Sequence, residues 1–225
     1  MLQALVFVIL AALEWWRIYT GMKPQPVLIT VAAVGMVTYS AYRFIRLRPT
    51  LRALRQAEEG EKAVGQYLEK LRADGFQVFH DVIAVGFNID HVLIGPPGVF
   101  TVETKTWSKP KKGNPRIEFD GTSIRMSSVE PERDPVTQAK AQAGWLKAVL
   151  SESTGRSIAV RPTILFPGWF IVHSAGSFKE VLVLEPKALP AFLQNEPTRF
   201  TPEDIQLAAF HLSRFIRTSE RDRAS

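Results

Sequence analysis

The 225-residue sequence predicts an α/β protein, a mixed central β-sheet flanked by helices, preceded by an N-terminal transmembrane helical hairpin. Three observations predict it. Two apolar-rich runs flank Gly95-Pro96-Pro97-Gly98 and read as an antiparallel strand hairpin. Stretches with helical spacing stand before and after that hairpin and further strand-like runs follow, an alternation whose compact solution is a mixed sheet with helices packed on it. Residues 2–20 and 26–45, finally, are long apolar runs.

The run from 26 to 45 has about the length needed to cross a bilayer and meets its first charge at Arg43. The run from 2 to 20 carries Glu14, with Trp15, Trp16 and Tyr19 placed like interfacial aromatics. It lacks the basic start and small-residue end of a cleavable signal peptide, so a retained anchor is expected. Residues 46–56 form a basic juxtamembrane linker that suits anionic headgroups. Arginines 43, 46, 48, 52 and 55 outnumber Arg17 and Lys23 between the runs, which predicts that the rest of the chain is cytoplasmic.

The folded domain is expected over 57–217, followed by a polar, frayed tail over 218–225. In 57–73 the residues Ala57, Glu61, Val64, Leu68 and Leu71 recur at helical spacing, and Glu61 lies on that apolar stripe. A strand over 76–83 and the central hairpin follow. Lys109, Lys111 and Lys112 then mark a basic loop, by default solvated, which beside a metal site can hold a phosphate backbone. Asp134-Pro135 precedes a helix over 136–150 with Gln138 in its first turn. Strands are expected at 158–166, 170–173 and 180–184. Thr201-Pro202 starts a closing helix whose stripe is Ile205, Ala208, Leu212 and Phe215.

Composition narrows the chemistry. The absence of cysteine excludes disulfides, zinc-thiolate sites and cysteine nucleophiles, and the four histidines have no ligand spacing. The net charge of +6 resides in residues 1–56, where seven Lys/Arg face Glu14 alone; from 57 onward 21 basic and 21 acidic groups cancel. The basic balance therefore says nothing about nucleic-acid binding by the folded domain.

The hairpin carries the sharpest reading. With the turn centred between Pro96 and Pro97, opposed residues have numbers summing to 193, so Ile94 faces Val99, Val92 faces Thr101 and Asp90 faces Glu103. Two carboxylates directly across a sheet repel. A hard divalent cation such as Mg²⁺ held between them would offset that repulsion, and Lys105 falls on the same face as Glu103. The acid-x-Lys triplet alone is expected about once by composition, and it recurs at Glu185-Pro186-Lys187 as an ordinary pair. Opposition to Asp90 is what distinguishes the first.

Gly60-Glu61 opening a helix, Asn88-Ile89-Asp90-His91-Val92, then Gly98-Val99-Phe100 leading to Glu103-Thr104-Lys105, and Pro135-x-x-Gln138 resemble the nuclease-related domain (NERD) family. The likeness runs from about Gly60 to Trp169. It implies a restriction-endonuclease-like fold of the PD-(D/E)xK nuclease superfamily. It further implies Asp90 and Glu103 as metal-binding carboxylates for Mg²⁺ or Mn²⁺, Lys105 as the lysine that positions water, Glu61 as an auxiliary acid and Gln138 as the polar residue of the following helix. Asp134 stands where the family often has Asn.

A membrane-anchored, metal-dependent nuclease acting on DNA or RNA is thus expected. Its competitor is a non-catalytic module of the same fold that binds nucleic acid or a protein at the membrane. The paired carboxylates favour the first, and the neutral charge of the domain favours the second.

Overall fold

The structure, a computed structural model, describes residues 2–21, 23, 26–84, 86–109, 114–126 and 134–224. The chain divides into two compact units, Met1–Arg52 and Ala53–Ser225. Helices α1 (Leu2–Thr20) and α2 (Pro26–Leu68) form over the two apolar runs. The expected transmembrane hairpin is corrected: among the described residues, no helix is long and apolar enough to cross a membrane. The uncharged stretch of α2 from 26 to 42 contains Thr30, Thr38 and Ser40 and stops at Arg43, short of the roughly 20 apolar residues a span takes. In α1, Glu14 and Arg17 form an ion pair.

The basic stretch 46–56 is helical and continuous with α2, with Pro49 inside the helix. Toward the end of α2, Val64 and Leu68 are buried, as the stripe predicts, while Ala57 is exposed. A 3₁₀ turn over Glu69–Asp74 buries Leu71 and ends at Gly75. It leads into β1 (Gln77–Ile83), followed by β2 (Asn88–Gly95) and β3 (Gly98–Thr104).

The main sheet has the order β1-β2-β3-β6-β8, with β6 Val160–Leu165 and β8 Leu182–Leu184. Pairing is antiparallel from β1 to β3 and parallel from β3 to β8, so the sheet is mixed. The β2–β3 pairs run from Gly95 opposite Gly98 to His91 opposite Val102, which is the register derived from the turn. Gly98 makes the two-residue turn feasible, because its φ of 125° is one that side-chain-bearing residues rarely adopt. Helix α3 (Pro135–Thr154) connects β3 with its parallel neighbour β6.

One sheet face packs Leu93, Phe100, Val102, Leu165 and Leu182 against Val64 and Leu68 of α2 and Leu189 and Leu193 of α4 (Leu189–Asn195). The other packs Val92, Ile94 and Val99 against Leu146 and Leu150 of α3 and Ile205, Ala208 and Leu212 of α5 (Pro202–Ala224). With both faces covered, β2 and β3 are buried over most of their length, which explains why they read as apolar runs rather than strict alternation.

The strand periodicity breaks at one place. Val78 and Leu93 belong to the first core, yet Val82 and Ile89, each four residues away and hence in phase, belong to the second. Asp81 has φ 51°, and it is skipped in the β1–β2 pairing together with Asp90. A left-handed residue here swivels the strand so that its side chains exchange faces, and aspartate is among the few types that tolerate it.

A smaller sheet was not foreseen: β4 (Arg116–Phe119), β5 (Ile124–Met126) and β7 (Phe170–His173) pair in the order β5-β4-β7. Nor was α4. The expected fray after Thr218 is corrected too, since α5 continues to Ala224; that segment holds no glycine or proline to stop a helix. At its start Thr201 and Asp204 cap each other's backbone, as the Thr-Pro signal predicts.

Candidate active site

The carboxylates predicted from the hairpin meet where the strand periodicity breaks. The paired ladder stops at His91 and Val102, and beyond it the Asp90 side chain takes over: Oδ2 accepts from the Thr104 backbone N–H at 2.7 Å. This contact fixes Asp90 beside Glu103. On the other side, β6 pins the β3 end, with Glu103 opposite Ile164 and the Lys105 N–H donating to the Leu165 carbonyl at 2.8 Å.

Glu103 is 5 % exposed, and both its oxygens are engaged. Oε1 accepts from Lys105 Nζ at 2.5 Å and from Gln138 Nε2 at 2.8 Å. Lys105 also donates to Gln138 Oε1 at 2.9 Å, closing a three-membered ring of contacts. Oε2 accepts from Gln142 Nε2 at 2.6 Å. Gln142 is fully buried and also donates to the Asn88 carbonyl at 2.9 Å, tying α3 to both strands of the hairpin. Sequence reasoning missed Gln142. Its signal was the four-residue spacing from Gln138, which puts both amides on one face of α3.

That face is aimed by the helix start. Asp134 accepts from the N–H groups of Val136 and Thr137, so the aspartate itself caps α3. Ala139 and Val136 anchor the helix in the core beneath the small sheet.

The electrostatics follow from crowding. Burial, and then the Glu103 charge, push the Asp90 carboxyl up to about 7. Glu61, on α2, is raised by burial first, then by Asp81 and Glu103. Four acids, Glu61, Asp81, Asp90 and Glu103, therefore share one electrostatic neighbourhood with Lys105. The approach of α2 depends on Gly60: a Cβ there would lie 1.9 Å from Thr106 Cγ2.

The predicted basic loop is placed in part. Lys109 is exposed, with its ammonium end beside Gly168; Lys111 and Lys112 lie outside the described residues. The histidines, scattered in sequence, are not scattered in space. His80 and His91 pair across β1 and β2, with Nδ1 atoms 2.8 Å apart, and His80 Nε2 meets Glu69 Oε1 at 2.7 Å. Burial lowers His91 to about 4.

Among the described residues no three acids or histidines are gathered so as to hold an ion by themselves. The donor set nonetheless fits Mg²⁺ or Mn²⁺. It is all oxygen, and two adjacent carboxylates are what Mg²⁺ usually takes from a protein alongside water and phosphate.

Residues 56–167 match the family model of the nuclease-related domain, NERD. Over those residues the chain belongs to that family, which is placed in the PD-(D/E)xK-like nuclease group, and a nuclease-related function follows. No curated protein and no solved structure matches the chain.

Proposed function

We propose that this site hydrolyses phosphodiester bonds of DNA or RNA with a divalent metal ion, Mg²⁺ or Mn²⁺. The observation that carries the proposal is the adjacency of Asp90 and Glu103 with Lys105 hydrogen-bonded to the second of them. Asp90 and Glu103 would hold the ion, which would supply a Lewis acid for the scissile phosphate and a bound water of lowered pKa. Lys105, partly exposed and held by Gln138, orients the attacking water and faces the charge that develops on the phosphate. Glu61 supplies an auxiliary acid from α2, and Lys109, Lys111 and Lys112 follow Lys105 in the sequence, suited to the nucleic-acid backbone.

The test is cleavage of DNA and RNA by the full chain with Mg²⁺ or Mn²⁺, alongside calorimetric titration of Mn²⁺. Glu103→Gln and Lys105→Met should each lower cleavage by about 100-fold or more, and activity retained in both would remove the assignment. A second reading rests on the saturation of Glu103: its oxygens already have three donors, which suits a structural knot in a non-catalytic binding module. Binding of nucleic acid without Mn²⁺ uptake or cleavage would favour it.

The N-terminal unit supports attachment to an anionic membrane surface. It exposes Val27, Val31, Val34 and Val37, followed by the arginines from Arg43 onward, and such lipids mark the cytoplasmic leaflet. Co-sedimentation with phosphatidylserine vesicles that is abolished by 0.5 M salt, at roughly a 4 Å Debye length, would bear this out; equal binding to neutral vesicles would count against it.

A further inference from the structure

A pocket of about 540 Å³ opens at the other end of β3, between the β2–β3 turn, the start of β6 and the segment before α5. Val99 lines it, and four residues of strand, about 13 Å at 3.3 Å each, separate Val99 from Glu103. The pocket is therefore distinct from the acid cluster.

Its charges do not balance. Arg161, Lys179 and Arg199 line it, with the carboxylates of Glu180 and Glu196. Glu180 is engaged from outside by Lys140 at 2.6 Å. Glu196 is shared by two guanidiniums, Arg161 at 2.7 Å and Arg199 at 3.4 Å. With Glu180 neutralised by Lys140, three cations face Glu196 alone, which leaves the pocket two positive charges in excess. Arg161 is mostly buried, its guanidinium lies over the Phe192 ring, and its Nε–H has no hydrogen-bond partner among the described residues. The remaining wall is apolar, formed by Val160, Pro162, Phe178 and Phe200.

We propose that this pocket binds a phosphate monoester carrying a planar base. The reasoning is one of charge and size. A phosphate monoester carries about −1.5 to −2 at neutral pH, matching the excess, whereas a carboxylate would neutralise half of it. Arginine forks and a lysine are suited to phosphate oxygens. Aromatic and aliphatic walls suit a flat body, and the volume lies in the range of small-molecule sites. The same chemistry is presented by a free mononucleotide and by the 5′-phosphorylated end of a strand. This inference is independent of hydrolysis at Glu103.

The test is calorimetric titration of the full chain in EDTA with adenosine 5′-monophosphate, adenosine, and a short oligonucleotide with and without a 5′-phosphate. The monophosphate should bind with one-to-one stoichiometry and adenosine should not. Lys179→Ala combined with Arg199→Ala, both at exposed positions, should weaken binding tenfold or more, while Glu103→Gln should leave it unchanged. Phosphate-dependent binding of the oligonucleotide as well would identify the strand end as the source, and binding of the monophosphate alone the free nucleotide. The inference is overturned if the monophosphate gives no saturable heat, if the double variant binds like the parent, or if Glu103→Gln abolishes binding.

Discussion

Replacing Asp90 by asparagine tests the electrostatics of the acid pair without disturbing its shape. The amide oxygen can still accept from the Thr104 N–H, so the contact at the ladder's end survives. What disappears is a buried charge beside Glu103. In the metal-free protein the Asp90 carboxyl is raised from 3.8 to about 7, so the folded state holds a proton that the unfolded chain releases. Stability contributed by that proton is fully present below pH 4 and is lost as pH rises through 7. Three pKa units at about 1.4 kcal/mol each amount to about 4 kcal/mol. Asp90→Asn should therefore match the parent near pH 3 and exceed it by as much as about 4 kcal/mol at pH 8. With a denaturant slope of about 2 kcal/mol/M that is a urea-midpoint shift of roughly 2 M. Urea unfolding in EDTA at both pH values reads it directly. A variant that loses stability at pH 8, or whose advantage does not grow with pH, would show that Asp90 is not held against a neighbouring charge.

Three further outcomes follow from the same geometry. Gln142→Leu removes the donor to Glu103 Oε2 and should cost about 1.5–3 kcal/mol in urea unfolding at pH 8, because a buried carboxylate oxygen loses its partner. Gly60→Ala gains about 1 kcal/mol of helix propensity but collides with Thr106; it should lower the melting temperature, and Thr106→Ala in the same chain should recover most of the loss, since the Cβ that remains lies at 3.2 Å and has to give by only a few tenths of an ångström. Lys105→Met should lower metal-dependent cleavage by about 100-fold or more while Mn²⁺ uptake measured by calorimetry persists, because the lysine is assigned to water and phosphate rather than to the ion.

The part of the site formed by the hairpin could be read from the chain because a two-residue turn between prolines dictates which residues face each other. The same arithmetic applied to the 84–87 turn pairs His80 with His91, an encounter that sequence separation concealed. Glu61 was found through its position on a helix face, and Gln138 through the family resemblance. Gln142 was passed over because nothing in periodicity alone tells which polar side chain of a buried helix will meet a strand end. Strands β4 and β5 span four and three residues, too few to show a period, and the swivel at Asp81 left no mark beyond an aspartate.

The segment that matches the family stops at 167, yet the sheet does not close there. Strand β8 supplies the hydrogen-bonding neighbour of β6, and α5 roofs Val82, Ile89 and Val92. The Pro96 carbonyl at the hairpin tip accepts from the N–H groups of Arg199 and Phe200. A polypeptide trimmed to residues 56–167 would carry an open sheet edge and a bare oily flank, and should aggregate rather than fold. The folding unit thus extends past the matched stretch, and the residues beyond 167 act as the clasp that keeps the acids in register.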